Sequence, residues 1–216
     1  MEKLEILPIR MRIASIIRKA IYLGEYKSGD KINLSDIAEQ LYVSRTPVRE
    51  ALQELESEGL VTLSMNKSAI VNKIDKKFIQ DIFELRSILE SKAAAKAAEN
   101  GMDADALLGR LYKFQEELKD GGNIDNDEYS HLNQDLHSAI WDAADSHLIK
   151  SILMRQWSGA NHLGDIISKK KHYEQSTKEH IEVLEQIKAG KPQKAGKAME
   201  QHVIRSMNNI LSLYED

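Results

Sequence analysis

The sequence predicts a mostly α-helical protein in two parts: three helices and a small β-hairpin over residues 1–74, then an all-α bundle of about six helices over 75–216. Three observations predict it. Only 3 prolines interrupt a chain rich in Ala, Leu, Ile, Glu and Lys, which are good helix formers. After Gly59 the apolar spacing switches from helical to alternating. Beyond Asp75 helical spacing resumes almost to the end.

Each element follows from local signals. The first helix is expected over residues 8–23, stopped by Gly24. A turn at Lys27-Ser28-Gly29-Asp30 leads into a short segment, Lys31-Ile32-Asn33-Leu34. Ser35 is expected to cap a short helix over 36–41, and Ser44, after a tight turn at Tyr42-Val43, a second one ending at Gly59. Val61, Leu63 and Met65 then share one strand face, with Thr62 and Ser64 on the other. Asn66-Lys67-Ser68 makes the turn and residues 69–74 the returning strand. This is the layout of a winged helix-turn-helix. In the second part, breaks are expected near Asn100-Gly101, Gly121-Gly122-Asn123, Asp145-Ser146, Lys171-His172 and Gly190-Lys191-Pro192.

Composition excludes several classes. There is no cysteine, so disulfides and thiolate metal sites are out. No apolar run approaches the ~20 residues of a membrane span, and the charged start, MEKLEILPIRMR, has no signal core. A cytoplasmic protein with no membrane partner is expected. The net charge of −4 argues weakly against nucleic acid. Residues 1–74, however, hold 11 Lys/Arg against 10 Asp/Glu, leaving 19 against 24 for the rest. The placement of charge therefore matters more than its total.

That placement is informative in the second helix of the candidate helix-turn-helix. At about 100° per residue, Val48, Ala51, Leu52 and Leu55 form one apolar stripe. Arg45, Thr46, Arg49 and Gln53 gather on the opposite flank, while Glu54, Glu56 and Glu58 lie toward the C-terminal end. A helix that reads a major groove presents its first turns to DNA and keeps acids away from it. Pro47 suits the first turn, which has no use for its missing N–H. Ser44 and Thr46 offer hydroxyls to phosphates, and Arg45 and Arg49 suit guanines or phosphates. The alternative is a solvated amphipathic helix with two surface arginines.

The string Val43-Ser44-Arg45-Thr46-Pro47-Val48-Arg49-Glu50-Ala51-Leu52, continued by Glu56-Ser57-Glu58-Gly59-Leu60-Val61, closely resembles the recognition helix of the GntR family of bacterial repressors. The resemblance runs from about Ile21 to Val71. It implies a DNA-binding transcription regulator, read as a repressor, acting as a homodimer on a palindromic operator, with Ser44, Arg45, Thr46, Arg49, Gln53 and the wing residue Lys67 against DNA. Two departures stand out: Ser28-Gly29 replaces the usual Pro-Gly, and Ser68 replaces a wing-tip glycine.

An all-helical remainder of this length resembles the FadR-type, or FCD, class of that family. The class implies a divalent transition metal such as zinc or nickel, held by an Asp and a His one turn apart and by two later histidines. The matching positions are Asn133, His137, His180 and His202. Residues at i and i+4 share a helix face, so Asn133 and His137 can touch one ion. His180 falls within an apolar stripe and His137 and His202 border theirs, which is costly without polar partners. Each alone is better explained as a hydrogen-bonded core histidine; the three together with the resemblance favour a metal site. Asn133 is the departure, since an amide oxygen is a neutral, weaker ligand and Asp135 points elsewhere. The other histidines, His131, His147, His162 and His172, are read as surface or packing residues.

Arg86 falls inside the apolar stripe of its helix, and a buried guanidinium needs an anion. Two partners are open: an internal carboxylate on a neighbouring helix, or a small organic acid effector. The family resemblance, through Arg86-Ser87-Ile88-Leu89-Glu90, implies a position near the effector pocket. Two other readings stay in view: a purely structural metal, and a metal-dependent hydrolase-like bundle. The second is disfavoured, because HExxH, Gly-rich phosphate-loop and GxSxG motifs are all missing and the helix-turn-helix would go unexplained.

Overall fold

The computed structural model describes residues 8–64, 68–119, 126–156 and 169–212. The chain divides into two compact units, 1–75 and 76–216.

In the first unit, α1 (Ile9–Tyr22) is followed by β1 (Lys31–Asn33), α2 (Leu34–Gln40), α3 (Arg45–Ser57), β2 (Val61–Ser64) and β3 (Ser68–Val71). Helix α1 buries Ile13, Ala14, Ile17, Ala20 and Ile21, a helical-period stripe, and packs on α3. Helix α3 answers with Val48, Ala51, Leu52 and Leu55, all fully buried. Burying four such side chains contributes on the order of 1–3 kcal/mol each. The contact is pinned by Arg18, whose Nε and Nη2 donate to the two carboxylate oxygens of Glu58 at 2.7 and 2.6 Å.

Two local expectations change. Helix α2 starts at Leu34, and its cap is Asn33, whose side-chain oxygen accepts the Ser35 N–H at 2.9 Å. Asn33 wins because it stands two residues before the donor, the Asx geometry. The sheet also has three antiparallel strands, in the order β1-β3-β2. Ile32 pairs with Ala69 in the added edge strand, and only Ile32 of its three residues is buried. One inward residue is too short an alternation to read as a strand. In the hairpin, Thr62 faces Ile70 and Ser64 faces Ser68. Lys67, Asn66 and Met65 lie outside the described residues.

The second unit holds α4 (Lys76–Glu99), α5 (Asp105–Lys119), α6 (Asn126–Ala143), α7 (His147–Gln156), α8 (Lys169–Lys188) and α9 (Pro192–Leu211). Helix α4 is central and packs most extensively on α9. Small residues bring the two together: Ala93, Ala94, Ala97 and Ala98 are buried on α4. On α9, a Cβ at Gly196 would sit 3.0 Å from the Ser91 carbonyl and hydroxyl oxygens. Breaks fall at Gly101, Asp145 and Gly190, all with positive φ. The break expected at Lys171-His172 is absent, because α8 runs through it. Its charged residue Lys171 is exposed while His172 and Tyr173 turn inward, so the polar run is a helix face. The expected Gly121-Gly122-Asn123 break lies outside the described residues.

Candidate nucleic-acid interface and candidate metal centre

On α3, Ser44, Arg45, Thr46, Arg49 and Gln53 are all exposed, on the face opposite the buried stripe. Ser44 stands at the N-cap, with extended φ and ψ, and its side chain makes no capping bond. The hydroxyl and the first N–H groups of the helix are thus available to a phosphate. The acids beyond them have internal work. Glu58 holds Arg18, and Glu56 Oε1 accepts the Leu63 N–H at 2.8 Å, tying the helix to the wing. Tyr42, in the preceding turn, was not singled out from sequence. It is 96% exposed and sits at φ 52°, a conformation disfavoured for residues with a Cβ.

In the helical unit, α6, α8 and α9 bring His137, His180 and His202 together in the interior, with candidate ligand atoms all within 4.8 Å of one another. Asn133 is also buried, one turn before His137 on α6. The Nε2 atoms of His180 and His202 are 3.2 Å apart. Two ligands about 2.0–2.1 Å from one tetrahedral ion would stand about that far from each other.

Two carboxylates orient this set, Glu90 fully buried and Glu179 partly exposed, and sequence reasoning assigned neither of them. Glu90, on α4, accepts from His137 Nδ1 at 3.2 Å and from Trp141 Nε1 at 2.8 Å. Glu179, on α8, accepts from His202 Nδ1 at 2.8 Å and from Arg205 Nε at 2.6 Å. An imidazole that donates through Nδ1 in its neutral form keeps its Nε2 lone pair. A carboxylate behind a histidine in this way fixes tautomer and ring orientation for metal binding. The signals were faint. Glu90 is one turn from Arg86, but its faces are set by α6. Glu179 does point away from His180, as its sequence position requires, and the residue it meets is on α9.

Electrostatics favour the neutral form of His180 and His202. Burial, then the charges of His202, His137 and Arg205, push His180 well below the ordinary imidazole range. Burial likewise lowers His202, against the opposing bond to Glu179. Burial alone would raise Glu90; the His137 and Arg86 charges and the bonds from His137 and Trp141 overcome it and hold it to about 2. Arg86 Nη2 lies 3.6 Å from Glu90 Oε1, and its guanidinium sits 5.0 Å from the Phe83 ring centroid. Of the two partners expected for Arg86, an internal carboxylate is present in Glu90, one turn further along its own helix.

His172 departs from the surface-or-packing reading in one respect. It is 5% exposed, beside the rings of Tyr129 and Tyr173, and burial together with Arg205 and His202 pushes it down to about 4. His131 and His147 are exposed, and His162 is outside the described residues.

Comparison with known proteins places this geometry. "Bacterial regulatory proteins, gntR family" matches residues 9–71, and "FCD domain" matches residues 81–205. The Nta operon transcriptional regulator of Aminobacter aminovorans is 34% identical over 112 residues, 52% of each chain. The HTH-type transcriptional regulator LutR of Bacillus subtilis is 28% identical, covering 88% of this chain and 95% of its own. The solved structure of E. coli McbR/YncC shares the fold with a TM-score of 0.73 at 20% identity, over 97% of this chain and 100% of that one. This chain therefore belongs to the GntR family, and with its FCD domain it is a DNA-binding transcriptional regulator and not an enzyme.

Proposed function

We propose that the protein represses transcription as a homodimer on a palindromic operator, and that a small organic acid bound in its helical domain changes operator affinity. Ser44, Arg45, Thr46, Arg49 and Gln53 would face DNA from α3, and Lys67 from the wing. His137, His180 and His202 would hold a divalent transition metal such as zinc or nickel, with Asn133 as the fourth protein ligand. When bound, such an ion would supply positive charge and open positions to an anionic ligand.

The observation that carries the reading is the buried three-histidine cluster, in which two rings are braced by carboxylates at Nδ1. A core built only for stability has little use for three mutually close imidazoles, each desolvated. The chain's own residues have distinct tasks. Glu90 and Glu179 hold two rings in the ligating tautomer, and Arg86 balances the charge of Glu90. In this reading Arg86, expected from sequence to contact the effector, stands beside the site through its pairing with Glu90. Regulation then requires only that the acid prefers one of two conformational states.

Fluorescence anisotropy on a palindromic promoter fragment, with and without carboxylic acids and a chelator, tests this. Acid-dependent affinity that vanishes on chelation is the expected result. A response to acids that ignores the chelator would sink the metal-linked part. Indifference to both would leave a purely structural centre.

A further inference from the structure

The interior beside the three histidines holds more unmade hydrogen bonds than a closed core tolerates. Arg205 donates through Nε to both oxygens of Glu179, at 2.6 and 2.8 Å. A side-on guanidinium–carboxylate pair ordinarily uses Nε and a terminal nitrogen together. Here Arg205 Nη2 is left buried with no hydrogen-bond partner. The same is true of His172 Nδ1, Thr177 Oγ1 and His180 Nδ1, all on α8, in residues 5%, 0% and 1% exposed. Buried polar atoms of native proteins are nearly always paired, so a group of four on two facing helices marks a missing partner.

The chemistry of the orphans says what the partner is. Arg205 Nη2 offers only N–H donors, and imidazole nitrogens offer one donor each when they keep the other lone pair. Acceptors are therefore wanted. Neither carboxylate of this region meets the orphans: Glu179 is taken by His202 and Arg205, and Glu90 binds His137 and Trp141 through Oε2 while its Oε1, itself without a hydrogen bond, lies 3.6 Å from Arg86 Nη2. Arg205 stands on α9, which packs on α8, with its side chain 22% exposed and its Nη2 buried, and its charge reaches His172, His180 and Tyr129. Arg86, by contrast, is engaged with Glu90.

We infer that Arg205 Nη2, with His172 Nδ1 on the facing helix, is the anchor for the carboxylate of the effector. Thr177 completes the wall of the site from one turn before His180. This deepens the reading of a small organic acid as effector and rests on it. Glu179 becomes a shared brace: it fixes His202 on one side and aims Arg205 on the other, so ligand and metal positions are set by one side chain.

The test uses the full chain loaded with cobalt(II), whose visible spectrum reports its surroundings, titrated with acetate and separately with inorganic phosphate. Native protein is expected to show a saturable acetate-dependent spectral change. R205K keeps a cation for Glu179 but loses the forked second donor, so cobalt affinity should stay within about twofold while acetate binding weakens at least about fivefold. H172Q should weaken acetate in the same direction and R86K should not. The proposal is overturned if R205K binds acetate as well as native protein, if only R86K loses acetate, if phosphate binds and acetate does not, or if native protein shows no acetate response at 0.1 M. Operator binding separates the two claims: acetate binding that depends on Arg205 without any effect on DNA affinity leaves the anchor standing and removes the effector reading.

Discussion

Arg49 is exposed on α3, one turn beyond Arg45, and makes no contribution to the buried stripe. Arg49→Ala should therefore weaken operator binding by about 1–3 kcal/mol, roughly ten- to a hundredfold, with an unchanged melting temperature. Anisotropy and thermal melts on the same preparation check both halves. His172 makes a different prediction. Its folded value of about 4 lies below the ordinary 6.5, so between those values the unfolded chain binds more protons. Stability from this group is full above pH 6.5 and is lost as pH falls toward 4. At pH 5 the loss is about 2 kcal/mol, from roughly 1.4 kcal/mol per pH unit. In metal-free protein, His172→Gln should narrow the difference between melts at pH 7 and pH 5; an unchanged difference would remove His172 as the source. At this scale the sequence was uneven. Arg45, Arg49 and the three histidines announced themselves by spacing, because helical period alone assigns their faces. Glu90, Glu179 and Arg205 did not, since each acts on a residue of another helix, and pairing between helices is not written in any one helix's period.

Among the elements, the α4–α9 contact depends on near-absence of side chain at Gly196. Gly196→Val should destabilise the helical unit by about 1–3 kcal/mol through overpacking against the Ser91 backbone. Differential scanning calorimetry would show it, and an unchanged transition would mean that the helices separate without cost. Such close approach was unreadable beforehand, because a lone glycine in a helical run signals only weakened propensity. The helix boundaries at Gly24, Gly101 and Gly190 were legible, each glycine supplying the positive φ that ends a helix. The edge strand β1 and the uninterrupted start of α8 were not. In both, a short polar-looking run conceals one or two inward residues.

For the whole molecule, the proposed function has the two units answer to different ligands. A divalent ion bound only by the folded helical unit should raise its stability by about 2.7 kcal/mol at a hundredfold excess over the dissociation constant. Zinc or nickel should therefore raise its melting transition and chelator restore the original value, with His180→Ala abolishing the shift. A shift that survives His180→Ala would place the ion elsewhere. The division into a helix-turn-helix unit and a helical unit was legible from the change of apolar period after Gly59 and again after Asp75.

Helix α4 begins one residue after the first unit ends and carries Glu90 some fourteen residues further on. At 1.5 Å per residue that is a rigid arm of about 21 Å between the histidine brace and the point where the DNA-reading unit is covalently attached. A tilt of only about 3° about Glu90 moves the attachment point by about 1 Å over such an arm. A ligand that shifted Glu90 through His137 would thus act at one end of a lever whose other end is the start of the domain.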